Sequence, residues 1–425
     1  MMSAIRPLLW RTLSALALAL SANLSQGQTL QVWTMGMKPR FTPLFEEMRQ
    51  RYQAQHPGVT VEWTDYPHEV LQARLAAALA AGKPPALVQL NAPWAGEYAR
   101  KGLLQPVDAE LGKPAPYLGG PLADLQFQGK TWGFPHYTNA NVLAYNKSLL
   151  AAAGVTQPPQ TLEQILSTAE RVAAKTGQAG FAPPLGKMDN YFLQQSLPLF
   201  KDGRAVFNSP AHIAFVERFR LAYEKKALLK DGLFAENNFS QVLAAYNSKR
   251  LAMMLGATAV IKRVQGDAPA VFADTGIAAA PLGPGGIADG GWLFHFAIPK
   301  QSEASISAPA AQLARFLTND ANQLAFARAA NVFPTSAKAA ADSWFSQLPA
   351  NPDANDLARV QAGKSVAQAR TLYVAGIDDY QQMQRALSRA VEAAVTGRMP
   401  VKQALDEAVA FCNRQLEKSA KPGGK

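Results

Sequence analysis

Cysteine is nearly absent from this sequence: Cys412 is the only one in 425 residues. A single thiol excludes an intrachain disulfide framework and every Cys-rich metal or redox motif, so a hydrophobic core must hold the fold. Charge is sparse, at 17% of residues, and the five histidines are never paired at ligand spacing. The HExxH, GxSxG and CxxC signatures are missing, so neither a metal nor an organic cofactor is expected, and an enzyme is not the first expectation. Gly129-Lys130-Thr131 ends like a phosphate loop, but Asp124 stands where that loop needs its first glycine. Gly283 to Ala288 fits the letters GxGxxA, yet no helix pattern follows, and the run reads as a loop or hinge. No stretch is apolar for the roughly 20 residues that span a bilayer. Basic residues come in pairs such as Lys225-Lys226 and Lys249-Arg250, without the aromatic-interleaved stripe that nucleic acid requires.

What remains is a chain of ordinary globular composition, 48% hydrophobic, long enough for two or three domains. Arg6 and Arg11, the apolar run Leu13 to Leu20 and the small-residue site Ser25-Gln26-Gly27 form an export signal, expected over 1–27. Its loss removes two arginines and lowers the formal charge from +11 to +9. No cysteine follows the apolar run, so an unanchored protein in a periplasm is expected. Cys412 shares a helical face with Leu405, Val409 and Leu416, which predicts a buried thiol rather than a nucleophile.

The stretch Gly129 to Asn146 organises the rest. Trp132, Phe134 and Tyr137 suit one strand, and Val142, Leu143 and Tyr145 suit another after the break at Asn139-Ala140-Asn141. Pro135 lacks a donor and fits a sheet edge or a crossing between sheets, although a hairpin within one sheet has the same spacing. Upstream, Leu30 to Trp33, Val59 to Trp63 and Ala86 to Leu90 are strand patterns separated by two amphipathic helix patterns. This β-α-β-α-β order predicts parallel strands, with ligand-facing loops at their carboxyl ends. Downstream, Thr161 and Gln164 form a capping box ahead of the stripe Leu162, Ile165, Leu166, Ala169 and Val172. Ser209-Pro210 is expected to cap a further helix, Leu251 to Leu255, Gly276 to Ala280 and Trp292 to Ile298 are strands, and the remainder reads as helical apart from a break at Asn331 to Pro334. His136 and His295 are expected to be satisfied polar residues, and Trp33 to pack against the sheet.

Aromatic and amide side chains gather at the junctions: Trp94, Tyr137, Tyr191 and Trp292 with Asn139, Asn141 and Asp189. Rings stack on the apolar C–H faces of sugars, while amides and carboxylates meet the hydroxyl rim. That pattern points to a sugar site enclosed between domains.

Five segments carry a family likeness, in order along the chain: Gly82 to Leu104, Gly129 to Leu149, Phe239 to Leu255, Gly290 to Lys300 and Val391 to Val409. With these the sequence resembles the extracellular solute-binding proteins of ABC importers, the family of the maltose-binding and glycerol-3-phosphate-binding proteins. The likeness implies an α/β, two-lobed periplasmic-binding-protein fold of the class II type, each lobe a sheet flanked by helices, with a ligand cleft between lobes. It implies lobes of 28–138 plus 291–345 and 139–290 plus 346–425, closing like a hinge. Position by position it carries ligand contacts onto Trp94, Tyr137, Asn139, Asp189, Tyr191, Gly291 and Trp292. It implies a monomer that captures a sugar or oligosaccharide and hands it to membrane permease subunits. Pro93-Trp94 and Asn139 depart from the charged residues of the maltose binder, and Ala86 replaces the usual Asp, which argues against maltose itself. An anionic solute such as glycerol 3-phosphate, bound by Lys38 and Arg40, is the alternative within the class; a secreted carbohydrate-active enzyme is the alternative outside it.

Overall fold

The computed structural model describes residues 27–235, 238–288, 290–300, 304–374, 376–377 and 380–419. Of the expected export signal, residues 1–26 lie outside the described residues. The chain divides into two compact units: one runs to Gln89 and resumes over Ile298–Phe316, the other comprises Leu90–Ala297 and Leu317 onward.

In the first unit β1 (Gln28–Met35), α1 (Thr42–Gln55), β2 (Val59–Tyr66), α2 (His68–Ala80) and β3 (Leu87–Asn91, which the division cuts after Gln89) alternate as the sequence predicts. β1 pairs in parallel with β2 along its whole length and with β3 at Val32 and Trp33. Parallel neighbours require crossover connections, which α1 and α2 supply. All five residues of β3 are buried, as expected of a parallel strand covered on both faces. Phe45, Met48 and Tyr52 form the buried stripe of α1, and Tyr52 lies 5.2 Å from the ring of Phe316. Trp33 is half-buried and meets Tyr66 edge-on at 5.1 Å. Beyond β1 the chain is tied by one carboxylate: Asp65 accepts from the Thr34 hydroxyl at 2.6 Å and from the amides of Met37 and Lys38 at 3.0 to 3.1 Å.

The strands of the second unit fall mainly into two sets. β4 (Phe134–Thr138) lies between β9 (Phe294–Ala297) and β10 (Phe333–Pro334), antiparallel to both. β5 (Asn141–Asn146) belongs to the other sheet, between β7 (Leu251–Ala257) and β8 (Thr275–Ala279), with β6 (Ala179–Phe181) beyond β7. The hairpin alternative is thereby excluded: the chain leaves one sheet at Thr138 and enters the next at Asn141. β10 meets β4 only at Tyr137 and Thr138, so donorless Pro135 falls outside that pairing.

Helices of this unit obey their local signals. α3 (Ala92–Arg100) is capped by Asn91, whose side chain accepts from the Trp94 amide. α4 (Leu162–Thr176) has the expected capping box at Thr161 and Gln164 and ends at Gly177, whose φ of 70° suits a residue without Cβ. α5 (Met188–Gln194) is short, and α6 (Pro210–Glu224) starts after Ser209 as predicted. The Ser209 hydroxyl, however, turns to His212 Nδ1 at 2.7 Å rather than to a helix amide. α7 (Tyr380–Val395) and α8 (Val401–Ser419) close the described chain. One core cluster joins Ile165, Phe181, Phe192, Phe219, Leu387 and Leu405 and includes Cys412, a free thiol that burial pushes up to about 11. The tail's pattern predicts helix apart from one break. Residues 369–374 correct that: they are not helical, Ala369 bridges Ala288, and the run is held by the contacts described next.

Candidate functional site

The crossing from β4 to β5 places Tyr137, Asn139 and Asn141 beside the segment that leads into β9. Tyr137 stacks on Phe294 with ring centroids 4.8 Å apart and planes within 14°, and both are partly buried. Burial without a partner charge holds the Tyr137 hydroxyl well above its usual range. Gly290 has φ +101°, and a Cβ there would meet the Asn141 amide group. Gly291 has a different reason to be glycine: a Cβ would run into the backbone of Ala369 and Arg370. Trp292 follows, 53% exposed and the most exposed large apolar side chain among the described residues. On the other side of the same segment, the Ala92 amide at the start of α3 donates to the Leu293 carbonyl at 3.2 Å, which brings half-buried Trp94 alongside.

The second cluster lies at α5. Lys187, just before the helix, puts its ammonium 5.5 Å from the Trp292 ring centroid. Asp189 is 2% exposed and accepts from Tyr380 Oη at 2.7 Å and Gln384 Nε2 at 2.8 Å. Burial raises its carboxyl above the usual range, opposed by those two hydrogen bonds. Tyr191 is 6% exposed and its ring packs among Phe215 and Phe219, so it belongs to the core. The structure therefore gathers the elements bearing Trp94, Tyr137, Asn139, Gly291 and Trp292, links Trp292 to α5 through Lys187, and turns Tyr191 inward. In the first unit, Lys38 is spent locally: its ammonium donates to the Trp63 carbonyl at 3.3 Å and lies 4.3 Å from that indole, while Arg40 lies over Phe41.

Residues 47–353 match the family model described as bacterial extracellular solute-binding protein. The chain belongs to that family. A mannitol-binding protein of Pseudomonas aeruginosa is 25% identical over 96% of this chain and 98% of its own. A periplasmic-binding protein structure from Synechococcus sp. MITs9220 is 27% identical, with a TM-score of 0.82 over 92% of this chain and 100% of that one. The sugar-binding protein MalE of Xanthomonas citri has the same fold, with a TM-score of 0.76 at 21% identity over 92% and 98% of the two chains. The fold is thus the two-lobed α/β architecture of periplasmic binding proteins. These relatives are binding proteins, and no described helix of this chain is long and apolar enough to cross a membrane.

Sequence reasoning missed two parts of this solute-binding protein. One is Lys187, whose contact with Trp292 spans the whole of the intervening chain. The other is the strap 369–374. Its Thr371 hydroxyl donates to the Gly291 carbonyl and accepts from the Leu293 amide, and Arg370 pairs with the Ala288 carbonyl through its amide. Asp124, 4% exposed, anchors the strap by accepting from the Arg370 guanidinium and from the Thr371 amide at 2.6 Å, while Tyr373 Oη donates to its carbonyl. A β-branched and aromatic run, Thr371 to Val374, was the available signal. Because Asp124→Ala strands a part-buried amide and a guanidinium that water can still reach, it is expected to cost about 1–2 kcal/mol. Urea unfolding of the variant measures that loss; a cost under about 0.5 kcal/mol would mean water replaces the carboxylate.

Proposed function

We propose that this chain captures a sugar, polyol or oligosaccharide outside the cytoplasm and delivers it to the permease subunits of an ABC importer. It acts without catalysis and as a monomer, after export and removal of residues 1–27. The lobes are 28–138 plus 291–345 and 139–290 plus 346–425, and solute favours the closed state by touching both. The observation that carries this reading is Trp292: a half-exposed indole fixed by two glycines and the strap, beside a carbonyl- and amide-rich crossing. An exposed ring so braced is suited to stack on a sugar's C–H face. Trp94, Tyr137, Asn139 and Asn141 supply the surrounding contacts, Gly291 admits the strap, and Asp189 and Tyr191, both turned inward, anchor α5 rather than touch the solute. The mannitol-binding relative supports the polyol class.

A thermal-shift screen against sugars, polyols, glycerol phosphates, amino acids and peptides tests this. A true solute adds about 2.7 kcal/mol of stability at a hundredfold excess over Kd. Trp292→Ala is expected to weaken that solute by about tenfold or more, the value of a stacked aromatic contact. The melting temperature without solute should hardly change, since the ring is 53% exposed. Unchanged affinity would remove Trp292 from the site. Turnover of a sugar polymer would replace the receptor reading with an enzyme.

A further inference from the structure

We infer that the solute carries a carboxylate, as an aldonate or uronate does, and that Lys187 selects it. The inference rests on the reading of Trp292 as a solute-stacking ring. Lys187 is half-buried, and its ammonium makes no hydrogen bond or ion pair among the described residues. Three other lysines of this unit are paired with carboxylates: Lys225 holds Glu170 at 2.6 Å, Lys249 holds Asp274 at 3.0 Å and Lys402 holds Asp406 at 2.6 Å, while Lys230, which also lies over a ring, that of Tyr223, is exposed to water. Lys187 instead faces an indole, which replaces only part of an ammonium's hydration. Asp189, two residues on, does not serve it: that carboxylate is turned inward to Tyr380 and Gln384, and Lys187 is the weakest of the influences acting on it.

A cation waiting beside a stacking ring describes a ligand with two parts, an apolar C–H face and an anionic end. A charge-assisted hydrogen bond from Lys187 to a carboxylate is roughly twice as strong as one to a hydroxyl. The ammonium therefore favours a sugar acid over its neutral parent, and a basic chain, +9 once Arg6 and Arg11 leave with the export signal, steers anions toward it. The carboxylate displaces the ammonium from the indole, which frees a face of the ring for stacking.

Calorimetric titration of the exported chain with matched pairs tests this: mannonate against mannitol, gluconate against glucose, galacturonate against galactose. In at least one pair the acid should bind about tenfold tighter than the neutral partner, and the gap should narrow as salt screens the charge. Lys187→Met should bring that ratio to about one, while Lys187→Arg should retain a preference for the acid. Wild-type protein that binds only neutral members overturns the inference and leaves the sugar reading standing. Preference for the acid that persists in Lys187→Met makes Lys187 only an internal partner of Trp292. No binding by any pair overturns both.

Discussion

At pH 5 the protein is expected to have lost about 4 kcal/mol of the stability it has near pH 8, with most of the fall between pH 7 and 5. Two buried histidines produce it. His295 is fully buried in β9, its ring against Gly133, with neither ring nitrogen hydrogen-bonded among the described residues. This corrects the expectation of a satisfied polar residue. His136 is 1% exposed, its ring 4.8 to 5.1 Å from those of Phe326, Phe296 and Tyr137. Burial drives both imidazoles down to about 3. An unfolded histidine takes up its proton near pH 6.5, the folded one only far below, so between those values the unfolded state binds more protons. Stability is therefore complete above about pH 6.5 and is lost as the pH falls toward 3. At pH 5 the loss depends on the unfolded value alone: about 2 kcal/mol for each ring. His212, lowered by burial in the same direction, adds to the fall. Denaturant unfolding at a series of pH values measures the slope, and the double variant His136→Phe, His295→Leu should flatten most of it. A wild-type profile that is level from pH 8 to 5 would show that water reaches the two rings or that a rearrangement lets them protonate in place.

Gly180→Val is expected to cost about 3 kcal/mol or more, at the upper end of what overpacking does to a core. Gly180 lies in β6, and a Cβ there would coincide with the backbone and side chain of Ala169 in α4. The obstacle is helix main chain and cannot rotate aside. Ile165, Leu166 and Val172 hold that helix down, each at most 1% exposed. Even Gly180→Ala must lift α4 from the sheet and open gaps around those three. Chemical unfolding of both variants gives the costs; a loss below about 1 kcal/mol for valine would mean that β6, not α4, gives way.

Much of this architecture was legible because its signals are local. The β-α-β-α-β order, the capping box of α4 and the break between β4 and β5 each depend on residues within a few positions of one another. Trp292 could be singled out because two glycines precede it, though one of those glycines serves the strap rather than a ligand. Asp189 and Tyr191 show the limit. They stand two positions apart in α5 and so leave it in different directions; the Asp189 carboxylate is held by α7 and the Tyr191 ring is sunk among Phe215 and Phe219. Which way each points is decided by elements far along the chain. The strap was missed for the same cause: Ala369, Arg370 and Leu372 suit a helix, and Asp124 in a distant turn, together with Ala288, Gly291 and Leu293, holds them out of one.

The passage from β4 to β5 consists of Asn139 and Ala140 alone. Two residues offer four soft torsions, since the peptide units between them are planar. A tether this short cannot slacken, so any change of angle between the two sheets must be taken up as a twist at those torsions. Ala140 is fully buried, leaving Asn139 as the one partly exposed side chain of the passage. On the proposed reading, a solute hydroxyl held by the Asn139 amide would act like a hand on a spindle, its grip felt at those torsions.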